Sequence, residues 1–413
     1  MAAPASQIAS PGPSPAVAPP PGNPRFALFD SLRGIAAIAI LTFHVSAMTG
    51  ALGKPLIGDV VAVAGPRALI LFFIISGFLL YRPYVAARAD GRSRPNTARY
   101  ARRRALRILP AYWVALTVLA VFPGIVGVFS GDWWRYYLFL QLYSHDTLGG
   151  GIPVAWSLCV EVTYYLALPF WAIAVGRLPA GSAQRGWLRA ELVPLALVAA
   201  FGIAVQVAGA QQWISDLAAQ SLLGQSTWLA LGMALAVASV AADRGERDRR
   251  IVRAVVEWPT VCWIGAAACL VGLALLLKPG GLFGIVQALS TEQPIGKTLG
   301  AIALTAGLGC LLVLPAIFGE GAGGFPRRLL AAPPIAWLGV ISYGIFLWHL
   351  TVASLLALPA DPQHFSASGL GLATKIDHLT TPILLALSLA ATTAVAAASY
   401  YVIELPFLRR KDG

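Results

Sequence analysis

Ten stretches, each within about 17–25 predominantly apolar residues and so long enough to cross a bilayer as a helix, constrain this chain more than any other feature. They lie near Leu28–Thr49, Leu69–Val85, Ile108–Val128, Val154–Val175, Leu192–Ala210, Leu223–Ala241, Pro259–Leu277, Thr298–Phe318, Ile335–Leu358 and Thr380–Ile403. A single water-soluble core cannot hide so much apolar surface: 58% of residues are hydrophobic and only 12% charged, against about a quarter charged in an ordinary soluble domain. The expected fold is therefore an all-α integral membrane protein, a bundle of about ten transmembrane helices filling residues 25–413. Residues 1–24, "MAAPASQIASPGPSPAVAPPPGNP", are too rich in Pro, Ala and Ser to pack, and they lack the basic and apolar regions of a signal peptide. They read as a disordered cytoplasmic tail.

The formal net charge of +12 raises the question of a nucleic-acid partner, and the positions of the basic residues answer it. If the first span runs outward, 24 of the 30 Lys and Arg fall in inner connections, leaving only Lys54, Arg67, Arg135, Lys278, Lys297 and Lys375 outside. This asymmetry is the positive-inside rule for a multi-pass plasma-membrane protein with both termini in the cytoplasm. No nucleic-acid motif accompanies the charge, so no such partner is expected. Cys159, Cys262, Cys269 and Cys310 all fall in predicted spans without paired metal-ligand spacing, and they read as small core residues with no metal.

Against this apolar background the ionisable residues inside spans stand out. In "FDSLRGIAAIAILTFHV", Arg33 and His44 are eleven residues apart; that is about three helical turns, so they share a face, about 16 Å apart along the axis. Arg33 is either a snorkelling anchor at the cytoplasmic edge or a ligand-binding group, and His44 either a packing histidine or a base. In "VAWSLCVEVTYYLALPF", Glu161 lies about 10 Å into a span entering from outside, hence at a depth expected to match His44. There it could orient the imidazole or hold a substrate hydroxyl, or it could be a buried group satisfied by Trp156, Ser157 or Tyr164. "RYARRRALRILPAYW" crowds five arginines at the inner mouth of the third span. Arg104 and Arg107, spaced i and i+3, share a face, and their planar forks suit phosphates as well as they fix topology.

Six segments together, "DSLRGIAAIAILTFHV", "LFFIISGFLLYRPY", "RRRALRILPAYW", "WSLCVEVTYYLALPF", "SYGIFLWHL" and "YYVIELPFLRR", resemble in content and order the membrane-bound acyltransferase 3 family of integral membrane O-acyltransferases. The resemblance spans roughly Asp30 to Arg410. It implies about ten helices, a cytoplasmic acyl-CoA donor used as co-substrate with no permanently bound cofactor, and transfer to a hydroxyl, often on a sugar. The family's essential Arg and His correspond to Arg33 and His44, its RxxR pair to Arg104 and Arg107, and its glutamate after Trp-Ser-Leu to Glu161. Some relatives carry a further C-terminal SGNH hydrolase-like domain; the sequence closes soon after "YYVIE", and completion by such a fused partner is not expected. The Pro-rich N-terminus matches no family motif.

The mechanism expected from this resemblance has His44 as general base, Glu161 orienting it or placing the acceptor, and Arg104 and Arg107 holding nucleotide phosphates with help from Arg33. Whether an acyl-histidine forms is left open. His349 and Tyr343, in "SYGIFLWHL", are candidates for acceptor binding or for packing, with Ser342 beside them. Ser76 and Gly77 read as sites of close helix approach and Glu404 as a partner for an inner arginine, while His145, His364 and His378 fall in loops. Expected partners are membrane lipid, acyl-CoA and an envelope glycan, a glycolipid or a macrolide-type metabolite. A proton-coupled transporter is the rival class, but no matched pair of broken helices supports it.

Overall fold

Where the sequence spaces its apolar runs, the computed structural model builds helices. It describes residues 26–178, 186–245, 249–318, 323–357 and 380–410; the N-terminal tail, His364 and His378 lie outside them. The principal helices are α1 (Leu28–Met48), α2 (Ile57–Ala89), α3 (Thr97–Val121), α4 (Trp156–Gly176), α5 (Gly186–Ala210), α6 (Leu222–Asp243), α7 (Pro259–Leu277), α8 (Ile295–Ile317), α9 (Pro333–Val340), α10 (Ser342–Ala357) and α11 (Thr381–Ser399). Among the described residues nine helices are long and apolar enough to cross a membrane, or ten if α9 and α10 count as one bent span. The expected all-helical membrane bundle is thus what the chain forms.

Three boundaries differ from the sequence expectation, and each moves a functional residue. The second span begins at Ile57 rather than near Leu69, so Pro66 and Arg67 lie within a helix of 33 residues. The arginine run belongs to α3 itself, which starts where Asn96 Oδ1 accepts the Arg99 backbone N–H at 2.9 Å. Instead of one straight helix over 335–358, α9 and α10 meet at 73°. The bend has a steric origin: a Cβ on Gly339 would lie 2.1 Å from the Asp30 carbonyl oxygen, and one on Gly34 would lie 2.8 Å from the Gly339 nitrogen. Two glycines let α9 cross the start of α1 almost backbone to backbone, and Ser342 Oγ donates to the Gly339 carbonyl at 2.7 Å where α10 begins.

The centre of the bundle is α1, α2, α6 and α10, whose inner faces are buried. Small residues again set the spacing. A Cβ on Gly77 would lie 2.3 Å from the Leu229 carbonyl oxygen, and one on Gly232 would lie 2.0 Å from that of Ile74. Gly77 therefore serves close approach, as its sequence context suggested. By contrast α5 and α7 lie at the periphery, presenting Leu197, Phe201, Ile264 and Leu275 outward.

The segment 122–155, expected as the outer end of the third span, the connection after it and the first residues of the fourth, folds back into the bundle. Tyr136, Leu142 and Ile152 are buried, Tyr112 Oη donates to the Tyr136 carbonyl at 2.9 Å, and the Tyr112 and Phe139 rings stack at 4.2 Å. This re-entrant stretch delivers the chain deep into the bundle before α4 starts at Trp156.

Candidate active site

The antiparallel pairing of α3 and α4 fixes the level of Glu161. Tyr100 Oη on α3 donates to the Tyr165 carbonyl on α4 at 3.2 Å. One helical turn further along each helix are Arg104 and Glu161, which line the same cavity. The expected match in depth between Glu161 and His44 does not hold. Counting residues from Val154 assumed that the span starts at the membrane surface, whereas the re-entrant segment starts it inside.

That cavity, of about 640 Å³ with its opening, lies between α1, α2, α3, α4 and α10. Arg33, Arg104 and Arg107 converge on it from two helices, with Glu161 and Tyr165 from α4 and Tyr343 from α10. Glu161 accepts a hydrogen bond from Ser76 Oγ, and the Arg33 Nη1 stands 3.5 Å from Asp30 one turn earlier on α1. The Arg104 guanidinium lies 6.0 Å from the centroid of the Tyr165 ring, and its Nε, though buried, makes no hydrogen bond among the described residues. Tyr343 lines the cavity while its hydroxyl donates to the Ile108 carbonyl at 3.0 Å. Glu404, on a π-helical turn over Tyr400–Glu404, is buried with Arg107 as its charged neighbour, and its Oε1 makes no hydrogen bond among the described residues.

Above this cavity Phe72 and Phe346 meet, ring centroids 6.3 Å apart. The next turn of α10 brings His349, fully buried, to His44. The two imidazoles are joined by 3.1 Å between His349 Nε2 and His44 Nδ1. The tautomers follow from the remaining partners. His349 Nδ1 lies 3.1 Å from the Ile345 carbonyl and 2.9 Å from that of Phe346, both of which can only accept. Neutral His349 therefore carries its hydrogen on Nδ1 and offers a lone pair at Nε2. His44 Nδ1 faces that lone pair and, at 3.0 Å, the Ile40 carbonyl, so it is the donor. Among the described residues, the one nitrogen of the pair left with a free lone pair is His44 Nε2.

The structure thus brings Arg33, Arg104, Arg107, Glu161 and Tyr343 together in one cavity and pairs His44 with His349 one layer beyond. Glu161 is grouped with the arginines, and the imidazole's own contacts are His349 and Ile40. Two contributors were not evident from sequence. Ser76 gave no charge or spacing signal, and Tyr165 is one aromatic among many; only its i+4 spacing from Glu161 marked it.

The sequence profile of the acyltransferase 3 family, described as an acyltransferase domain, matches residues 26–401. Among curated relatives, the chain is 23% identical over 412 residues to a peptidoglycan O-acetyltransferase, OatA, of Listeria monocytogenes, covering 93% of this chain and 56% of that protein. It is 26% identical over 193 residues to nodulation protein 10 of Rhizobium leguminosarum, covering 40% and 50%. It is 25% identical over 362 residues to the exopolysaccharide production protein ExoZ of Rhizobium meliloti, covering 84% and 90%. The chain spans about half the length of the first two. No solved structure matches. With a profile match over nearly its whole length and a bundle of membrane-spanning helices, the chain belongs to the acyltransferase 3 family of multi-pass membrane proteins.

Proposed function

We propose that this protein is a plasma-membrane O-acyltransferase that takes an acyl group, acetyl or another short acyl, from acyl-CoA at its cytoplasmic, arginine-lined face. It delivers that group to a hydroxyl of a sugar-containing envelope component. The observation that carries this reading is the stacking, within one bundle, of a three-arginine cavity beneath a histidine pair that leaves one imidazole nitrogen free. The arginines suit phosphates, and the free nitrogen suits a hydroxyl proton. Named relatives act in O-acetylation of peptidoglycan and in exopolysaccharide production, which favours a glycan acceptor over a macrolide-type metabolite.

In the proposed reaction the acceptor O–H gives its proton to His44 Nε2 as its oxygen attacks the thioester carbonyl. The resulting imidazolium keeps its Nδ1–H bonded to His349 Nε2 and the Ile40 carbonyl. Collapse of the tetrahedral intermediate breaks the C–S bond, and the proton on Nε2 passes to the departing thiolate. His349 acts on His44, holding its tautomer and ring plane much as a carboxylate orients a catalytic imidazole. Arg33, Arg104 and Arg107 hold and guide the donor, and Glu161, bonded to Ser76, keeps their guanidiniums from repelling one another.

The test uses purified full-length protein in detergent with radiolabelled acetyl-CoA and isolated envelope polysaccharide. Transfer of label to the polysaccharide, without any gradient, is the expected result. Acceptor-dependent label on a cytoplasmic metabolite alone, or no use of acetyl-CoA, overturns it.

A further inference from the structure

A second cavity opens beside the first, between the end of α2 and the start of α3, and shares Arg104 with it. It holds about 1100 Å³ including the space open to solvent. Arg92, Arg99, Arg103 and Arg104 line it, and no lining residue is a carboxylate. Asp90, outside the lining, holds Arg92 at 2.7 Å. Arg99 and Arg103 stand i and i+4 on one face of α3, and the Arg99 guanidinium makes no ion pair among the described residues. The floor is apolar, formed by Leu79, Pro83 and Ala87.

Tyr84, only 7% exposed, lines both this recess and a neighbouring cavity that holds Arg88 and Glu191, and its hydroxyl is buried without a hydrogen-bond partner among the described residues. A buried polar atom left unsatisfied is costly, so it marks a place where a ligand or water is received. The Tyr84 ring packs edge-on against Tyr100 at 6.3 Å. Tyr100 in turn bonds the Tyr165 carbonyl, and Tyr165 lines the first cavity. Arg104 lines both spaces, and the Tyr100–Tyr165 contact links the lining of one to that of the other.

A topology anchor would send its guanidinium out to lipid headgroups. Here arginines wall a recess with an apolar floor, and one of them, Arg104, also lines the site. We propose that this recess seats the nucleotide end of the donor. Adenine lies on the floor beside Tyr84, the 3′-phosphate sits between Arg99 and Arg103, and the diphosphate passes Arg104 so that the pantetheine arm enters the first cavity. The spacing fits an extended donor: Arg99 to Arg107 spans about 12 Å along α3, and Arg33 to His44 about 16 Å along α1. This inference rests on the acyl-CoA reading above and adds the subsite that recognises the nucleotide. An anionic lipid headgroup presents the same phosphate chemistry, but it would leave acyl chains to be placed in a recess that shares Arg104 with the active site.

Displacement of labelled acetyl-CoA from the full-length protein by CoA and by dephospho-CoA, which lacks only the 3′-phosphate, separates these possibilities. The wild-type protein should prefer CoA at least tenfold, and Arg99→Gln with Arg103→Gln should reduce that preference to within twofold. Because the ratio is read on one preparation, it is independent of the amount of folded protein; Arg99→Gln alone, at an exposed position, gives an intermediate ratio. A wild-type preference that survives both substitutions overturns the subsite while leaving the donor reading intact. Failure of both nucleotides to compete at all overturns the donor reading itself. In nanodiscs of phosphatidylcholine with or without phosphatidylglycerol, the preference should be the same; displacement of CoA by the anionic lipid, abolished in the double variant, would assign the recess to lipid.

Discussion

The two ends of α1 meet opposite chemical demands. At Arg33 the surroundings are charged and mutually compensating: three guanidiniums, one carboxylate and a serine hydroxyl around an open cavity. At His44, eleven residues on, no charged side chain is among the hydrogen-bond partners of the two imidazoles in the described residues; those partners are each other and backbone carbonyls. Charge holds a polyanion; neutrality leaves an imidazole able to take a proton. Phe72 and Phe346 line the arginine cavity, and the Phe346 ring lies 6.2 Å from that of His349, next to the base. A base bathed in the field of three guanidiniums would resist becoming cationic, so separating holding from proton transfer favours both.

If that division is real, variants at the two ends fail differently. The largest effect belongs to His44→Ala. Transfer should fall by about three orders of magnitude, within the range a positioned base supplies, while displacement of labelled acetyl-CoA stays within twofold. Activity within a few-fold of wild type would return His44 to a packing role. His349 comes next. His349→Ala should lower kcat by about a hundredfold, the low end of that same range, without changing donor KM. His349→Gln, which can still accept from His44 Nδ1–H, should recover a substantial part, and its pH–rate profile should lie closer to wild type than that of the alanine variant. Equal losses in the two variants would mean that His349 fills space rather than fixing a tautomer.

The arginine end should fail in binding. Arg104→Lys with Arg107→Lys keeps the positive charge, and so the topology, but loses the planar fork. Donor KM should rise on the order of tenfold, as expected for about 1.4 kcal/mol of binding energy, with kcat at saturation little changed. An unchanged KM would assign those arginines to topology alone.

Much of this was legible in the sequence, for physical reasons that also explain what was not. Spans announce themselves because a bilayer demands about twenty apolar residues in a row, and buried ionisable groups stand out against them. Arg33, His44, Glu161 and the arginine run were visible on that ground. The pairing of His349 with His44 was not, because contacts between α1 and α10 have no sequence spacing to betray them. The level of Glu161 was misjudged because 122–155 contains aromatic residues, glycines and charges in no helical period; that stretch looks like a connection and instead tucks into the bundle. The bend between α9 and α10 depended on Gly339 meeting Gly34, a contact between residues about three hundred positions apart.

The smallest expected effect tests that revised level directly. Glu161 is bonded to Ser76 and shares a cavity with Arg33, Arg104 and Arg107, whereas the sequence placed it beside the base. The two positions predict different kinetics for Glu161→Gln. If the carboxylate belongs to the arginine end, the amide keeps the hydrogen bond from Ser76 but removes the one carboxylate that lines the cavity with the three guanidiniums. The cavity becomes more attractive to a polyanion, so donor KM should shift by a few-fold, and release of CoA should slow. The pH dependence of kcat, set at the histidine pair, should stay where it is. If the carboxylate instead orients the imidazole, the amide would disturb the protonation of His44 in the transition state. The pH–rate profile would then move and kcat would fall with donor KM unchanged. A companion variant, Ser76→Ala, should follow Glu161→Gln in whichever direction it goes, because among the described residues the serine hydroxyl bonds Glu161 alone. A shifted pH profile in Glu161→Gln would join the two ends of α1 into one site and dissolve the separation argued above.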